Sequence, residues 1–188
     1  MKLSPRLIRR ASATAAAVAA ALLIPAAALA APGRAAAPAA APGCTQAQLR
    51  TWIGLPGDGT AGTVFYELEI SNVSARTCTL LGFPGVSATG AGGAQLGSPA
   101  RRSSSHPVRL ITLARGATAH ANLGIVDVFA FPAAACHPVT ATGLRVFAPG
   151  DFRSETVPLT FKACQRSGVQ FLNVTATVAG TGIPLFSS

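Results

Sequence analysis

Few residues in this chain have the types and spacing that chemistry requires. There are three histidines, His106, His120 and His137, with Asp127 the one acid among them. A metal centre wants two or three such groups converging with carboxylates or thiolates. None of the three lies at helical or strand spacing from another, and no CxxC or HxxxH pattern exists, so neither metal nor cofactor is expected. A serine hydrolase needs a strained G-x-S-x-G elbow. The nearest match, Gly85-Val86-Ser87-Ala88-Thr89-Gly90, is one residue too long and sits in a short strand and turn. A glycosidase needs two flanking carboxyl groups. The six acids are Asp58, Glu67, Glu69, Asp127, Asp151 and Glu155. Glu67 and Glu69 stand two apart in an alternating segment, which reads as a solvent-facing pair on a sheet. No catalytic residue is assigned and the chain is not expected to be an enzyme; the alternatives are an extracellular hydrolase of unrecognised type or a purely structural accessory domain.

One surface segment has the composition of a binding element. Arg101-Arg102-Ser103-Ser104-Ser105-His106-Pro107-Val108-Arg109 places three guanidinium groups in a Ser-rich loop. Arg101, Arg102 and Arg109 form a candidate anion-binding loop, because guanidinium donors match phosphate and carboxylate oxygens. Nucleic acid is not the expected partner: single-strand binding interleaves cations with aromatic rings, and the one Trp and one Tyr lie elsewhere. The expected partners are an anionic cell-wall polymer, a lipid headgroup or another envelope protein.

The four cysteines are Cys44, Cys78, Cys136 and Cys164. An even count outside the cytoplasm implies two disulfides and allows three pairings. Cys44–Cys78 with Cys136–Cys164 is expected, since each bridge joins neighbours in sequence and ties a loosely patterned end to a strand.

The elements that position these residues begin after an export signal. Lys2, Arg6, Arg9 and Arg10 precede a run from Ala11 to Ala30 that is apolar or small throughout and ends in Ala28-Leu29-Ala30. This is the pattern of a cleavable secretory signal over residues 1–30. The Ala-rich run inserts weakly, which argues against a permanent anchor. Cleavage near Ala30 would leave the chain secreted or otherwise extracytoplasmic. The signal carries four of the fifteen basic residues, so eleven remain against six acids, a net charge of +5. Residues 31–43 form an Ala/Pro-rich leader, read as disordered, and would span about 40 Å if extended.

From Cys44 to about Ala179 the period is two. Val64, Tyr66, Leu68 and Ile70 alternate with Phe65, Glu67, Glu69 and Ser71, as in a half-buried strand. Further short strands are expected at 79–82, 86–89, 94–96, 108–113, 117–126, 144–146, 157–161 and 171–178, separated by Gly and Pro. Phe83-Pro84-Gly85 and Gly90–Gly93 read as turns. A two-turn helix is expected over Thr45–Trp52, with Thr45 as its cap. Eight or nine strands at such spacing predict an all-β, immunoglobulin-like antiparallel sandwich with two disulfides over residues 44–179, followed by a tail over 180–188.

The stretch Tyr66-Glu-Leu-Glu-Ile-Ser-Asn72-Val-Ser-Ala-Arg-Thr-Cys78-Thr-Leu-Leu-Gly82-Phe83-Pro84-Gly85-Val86 carries an alternating strand, an Asn-containing turn, a Cys and then Gly-aromatic-Pro. In this order it resembles the secreted actinobacterial domain of unknown function 4232 family. Leu113-Ala114-Arg115-Gly116 looks like that family's strand and Gly turn, with Arg115 where a Pro is usual. The resemblance covers about Cys44 to Val178. It implies an extracytoplasmic β-sandwich and carries over no functional residues. A non-catalytic binding or interaction module at the cell envelope is the function expected.

Overall fold

The computed structural model describes residues 40–182; the expected signal, most of the leader and the last six residues of the tail lie outside the described residues. The described chain forms twelve strands. They are β1 (Leu49–Thr60), β2 (Thr63–Asn72), β3 (Cys78–Leu81), β4 (Gly85–Thr89), β5 (Gln95–Leu96), β6 (Arg101–Ser103), β7 (Leu110–Leu113), β8 (Thr118–Val126), β9 (Pro138–Phe147), β10 (Ser154–Cys164), β11 (Leu172–Thr175) and β12 (Val178–Ala179). One helical turn, α1 (Ala133–Cys136), precedes β9 and ends at His137 in the left-handed conformation.

Alternation drives the assembly. Leu68 and Ile70 of β2, and Ala119, Ala121, Leu123 and Ile125 of β8, all turn to one side and are buried, as successive strand residues must take opposite faces. β2 and β8 pair antiparallel over nine residue pairs, from Thr63↔Val126 to Ser71↔Thr118. They form the middle of a sheet ordered β1-β2-β8-β11-β6, with β12 also on β8. A second sheet, β10-β9-β4-β5, contributes Val86, Leu144, Val146 and Val157 to the same core. The short pair β3–β7 buries Leu80, Ile111 and Leu113 in a smaller cluster with Leu49, Ile70 and Ala119. The all-β sandwich is as the alternation predicts.

Both disulfides pair as expected, Cys44–Cys78 with Cα atoms 4.9 Å apart and Cys136–Cys164 at 4.6 Å. Each lies in a different cluster, the first with Leu80 and Leu113, the second with Leu144 and Phe171. Each therefore staples one half of the core.

Three features depart from the sequence expectation. The helix over Thr45–Trp52 is instead a single 3-10 turn at Gln46–Gln48 that runs into β1. Leu49 and Thr51 are buried while Arg50 and Trp52 are exposed, a period of two that the Gln46–Gln48 turn obscures in the sequence. β6 pairs parallel with β11, so the sandwich is not wholly antiparallel. And twelve strands form rather than eight or nine: β1 and β6 lack the alternating apolar pattern that marks a strand in the sequence, and the expected strand over 171–178 divides into β11 and β12.

Two glycines are fixed by close approach. A Cβ on Gly97 would run into the Phe171 ring, and one on Gly124 would lie 2.6 Å from the Asn173 amide. The Asn72 side chain, fully buried, donates to the carbonyls of Arg76 and Leu113 at 2.8 and 2.9 Å and accepts from Ser74. It thereby fixes the β2–β3 turn against β7, with no positive φ of its own.

A bridge closing about thirty residues contributes roughly 3–4 kcal/mol by restricting the unfolded chain. Replacing Cys136 and Cys164 together with Ala should lower the urea-unfolding free energy by about that amount, with the opening of a small void adding to it. Unchanged stability would mean that this half of the core does not depend on the staple.

Candidate functional site

Arg101 and Arg102 lie in the edge strand β6 rather than in a loop. Arg101 stands opposite Asn173 of β11, and both arginines, with Ser103, Ser104 and Asn173, line a polar depression of about 420 Å³. Neighbouring residues of a strand point to opposite faces, so the two side chains leave β6 on different sides. Arg102 lies with its guanidinium carbon 5.4 Å from the centre of the Phe83 ring, a stacking that holds a cation without neutralising it. Phe83 is half-buried, with this charge over its ring. Arg109 stands apart from this depression, beside β7, where it lines a separate groove with His106 and Leu110. The strand pairing therefore joins Arg101 and Arg102 with Asn173, and the third arginine belongs to the neighbouring groove. Asn173 was not readable as a partner, because β6 and β11 meet across about seventy residues of chain.

Among the described residues only one ion pair forms, Arg50 to Glu155 at 2.8 Å. Glu155 also accepts from the Thr51 N–H and the Gln46 side chain, and Asp151 accepts from the Gln46 N–H. These backbone donors, from Gln46 first and then Arg153, hold the Asp151 carboxyl below the usual aspartate range. The two acids anchor the N-terminal segment to the β9–β10 hairpin, and none faces Arg101 or Arg102.

The carboxylate pair is not solvent-facing as its alternation suggests. Glu67 and Glu69 lie on the outer face of the six-stranded sheet, but Glu69 has no exposed surface and Glu67 is half-buried. The chain after β12 crosses over them. Gly182 donates its N–H to Glu69 Oε1 at 2.8 Å, and His120 Nδ1 bonds the Gly180 carbonyl at 2.8 Å. His120 is the direct cross-strand partner of Glu69, and Asn122 that of Glu67. With its nitrogen turned to the carboxylate, the Asn122 amide donates to both oxygens of Glu67. Glu69 Oε2 is buried without a donor. Burial pushes both carboxyl groups above the usual glutamate range; nearby His120 opposes this for both, and the Gly182 N–H opposes it more strongly for Glu69. His106 also stands close enough to lower Glu67. The fold thus gathers two of the three histidines around the carboxylates, whereas His137 caps α1 on an exposed surface.

Among the described residues no group of three or more His, Cys, Asp or Glu is arranged to hold a metal ion. Ser87 is buried in β4, opposite Arg145 on β9, with no histidine beside it in the pairing. What the geometry offers is a β-sandwich domain with a basic strand edge unpaired among the described residues and a carboxylate pair closed under its own chain. The chain belongs to the family described as domain of unknown function (DUF4232), whose sequence pattern matches residues 44–178. No curated protein and no solved structure matches it.

A carboxyl group whose folded pKa is raised binds its proton more tightly in the folded state. Its stabilising contribution is complete below the ordinary glutamate value of 4.5 and is lost as pH rises through the raised value. Glu69→Gln should therefore be more stable than the wild type at pH 7, by about 1 kcal/mol for a buried acceptor left without a donor. That advantage should vanish towards pH 4, where Glu69 is itself neutral. Thermal unfolding across this range reads it; a constant difference at all pH values would show that charge burial is not the cause.

Proposed function

We propose that this chain is a secreted, non-catalytic binding or interaction module of the cell envelope, meeting an anionic partner through its β6 edge. The export pattern of residues 1–30 and the two disulfides support an extracytoplasmic site of action. The observation that carries the binding reading is the β6 edge itself. Arg101 and Arg102 both line one polar depression with Ser103, Ser104 and Asn173, and no carboxylate of the described chain pairs with either. Stacking on Phe83 restricts Arg102 before any partner arrives, which reduces the entropy lost on binding. Phosphate or carboxylate oxygens are the groups such a fork recognises. The Glu67–Glu69 pair beside His120 is the feature that would favour a hydrolase. It is covered by the Gly180–Gly182 segment, and Gly182 already occupies Glu69, so a substrate would have to displace the chain.

Retention on purified anionic cell-wall polymer and on vesicles containing anionic lipid tests this function. The Arg101→Ala/Arg102→Ala double variant should lose binding about tenfold on whichever surface the wild type binds. Because a guanidinium–anion contact releases counterions, wild-type retention should weaken as salt is raised. Equal retention of both proteins would remove the β6 edge as the contact, and no retention on either surface would favour a purely structural role.

A further inference from the structure

The β3–β7 pair carries an apolar surface that no other described residue covers. Leu81 and Leu110 are direct cross-strand partners, 56% and 65% exposed, and Val108, just before β7, is 50% exposed. Residues scattered singly in this way need no explanation, but three adjoining ones at a strand edge do. Beside them runs a groove of about 430 Å³, lined chiefly by His106, Arg109, Leu110, Ile111, Thr177 and Val178. Two unfinished strands border it. Among the described residues β7 pairs with β3 and with no strand on its other side, and β12 pairs only with β8. A strand edge of this kind presents a row of free N–H and C=O groups.

Among the described residues, the charges left unpaired at the groove are basic. Arg109 lines it, and Arg102 lies over Phe83, two residues beyond Leu81. The acids whose side chains are described are all engaged: Glu67, near His106, is held by Asn122 and Glu69 by Gly182, Asp127 caps its turn, and Asp151 and Glu155 bind the N-terminal segment. An occupant that complements this surface is extended, apolar at alternate positions and acidic beside them.

We propose that the groove docks an extended acidic peptide segment of a partner protein, laid along the free edge of β7. Its backbone would complete the strand edge, one apolar side chain would enter the groove against Leu110 and Val178, and a carboxylate would reach Arg109. This is strand addition, in which backbone bonds supply affinity and alternate side chains supply selectivity. The proposal rests on the chain being a binding module, adds a contact distinct from the β6 edge, and names its partner as polypeptide. A lipid headgroup or anionic polymer would engage Arg101 and Arg102 but has no apolar side chain for the groove. Pro107 and the four-residue length of β7 limit indiscriminate pairing.

Selection of a displayed library of random short peptides on the immobilised, disulfide-intact protein tests this. Enriched peptides should alternate apolar residues with Asp or Glu. Leu110→Lys should weaken them about tenfold or more while leaving thermal stability unchanged, since Leu110 is mostly exposed. Arg109→Glu should instead enrich peptides carrying Lys or Arg. Absence of enrichment, or enriched peptides that bind Leu110→Lys as tightly as the wild type, would overturn the proposal. So would sedimentation showing a dimer that Leu110→Lys dissolves, which would assign the groove to a second copy. Loss of peptide binding in Leu110→Lys with retention on anionic surfaces intact supports the groove as a separate contact. If Arg101→Ala/Arg102→Ala loses surface retention yet keeps the peptides, the groove stands and the headgroup contact is the β6 edge alone.

Discussion

The pairing of β2 with β8 is the interaction on which the rest of this domain depends. Its register turns Leu68, Ile70, Ala121 and Leu123 into the core together, and a slip of one residue would expose all four and bury their polar neighbours. The same register sets Glu69 against His120 and Glu67 against Asn122 on the other face. It also gives β11 and β12 the strand they pair with, and through β11 it places β6. Both the inner and outer surfaces of the molecule thus follow from one alignment.

The outer face shows the cost of that alignment. A sheet with one face on the core usually gives its other face to water, where carboxylates are inexpensive. Here the chain beyond β12 folds back over that face, so Glu69 is desolvated with one donor for two oxygens. His120 and Asn122 compensate in part, by charge and by hydrogen bond. The result is a closed polar layer that is sensitive to protonation, distinct from the open basic edge on the far side of β11. The described acids are engaged by bonds within the chain, and Arg101, Arg102 and Arg109 are left without an acid partner among the described residues.

Alternation and turn chemistry made the central strands legible. Tyr66 to Ile70, the Gly82–Gly85 turn and the cysteine order predicted a disulfide-stapled sandwich because each rests on local rules. Asn72 was likewise readable as a turn residue, although its work is done by side-chain bonds to Arg76, Ser74 and Leu113. β1 was not readable, since its apolar positions are sparse and its first turn resembles a helix start. β6 was not readable either: three polar residues form a strand only because Val174 and its neighbours supply the partner edge.

By itself the sequence determined the class of fold, the presence of two bridges and that of an arginine-rich segment, because hydrophobic period, cysteine count and composition can be read without knowing which strands meet. Tertiary structure alone decided which of those residues act together. It separated Arg109 from Arg101 and Arg102, brought Asn173 beside them, buried Glu69 beneath Gly182 and gathered His106 and His120 near Glu67. Those outcomes depend on pairings between strands remote in the chain. Side-chain neighbours across a sheet are set by register, and register is decided only when the whole core closes.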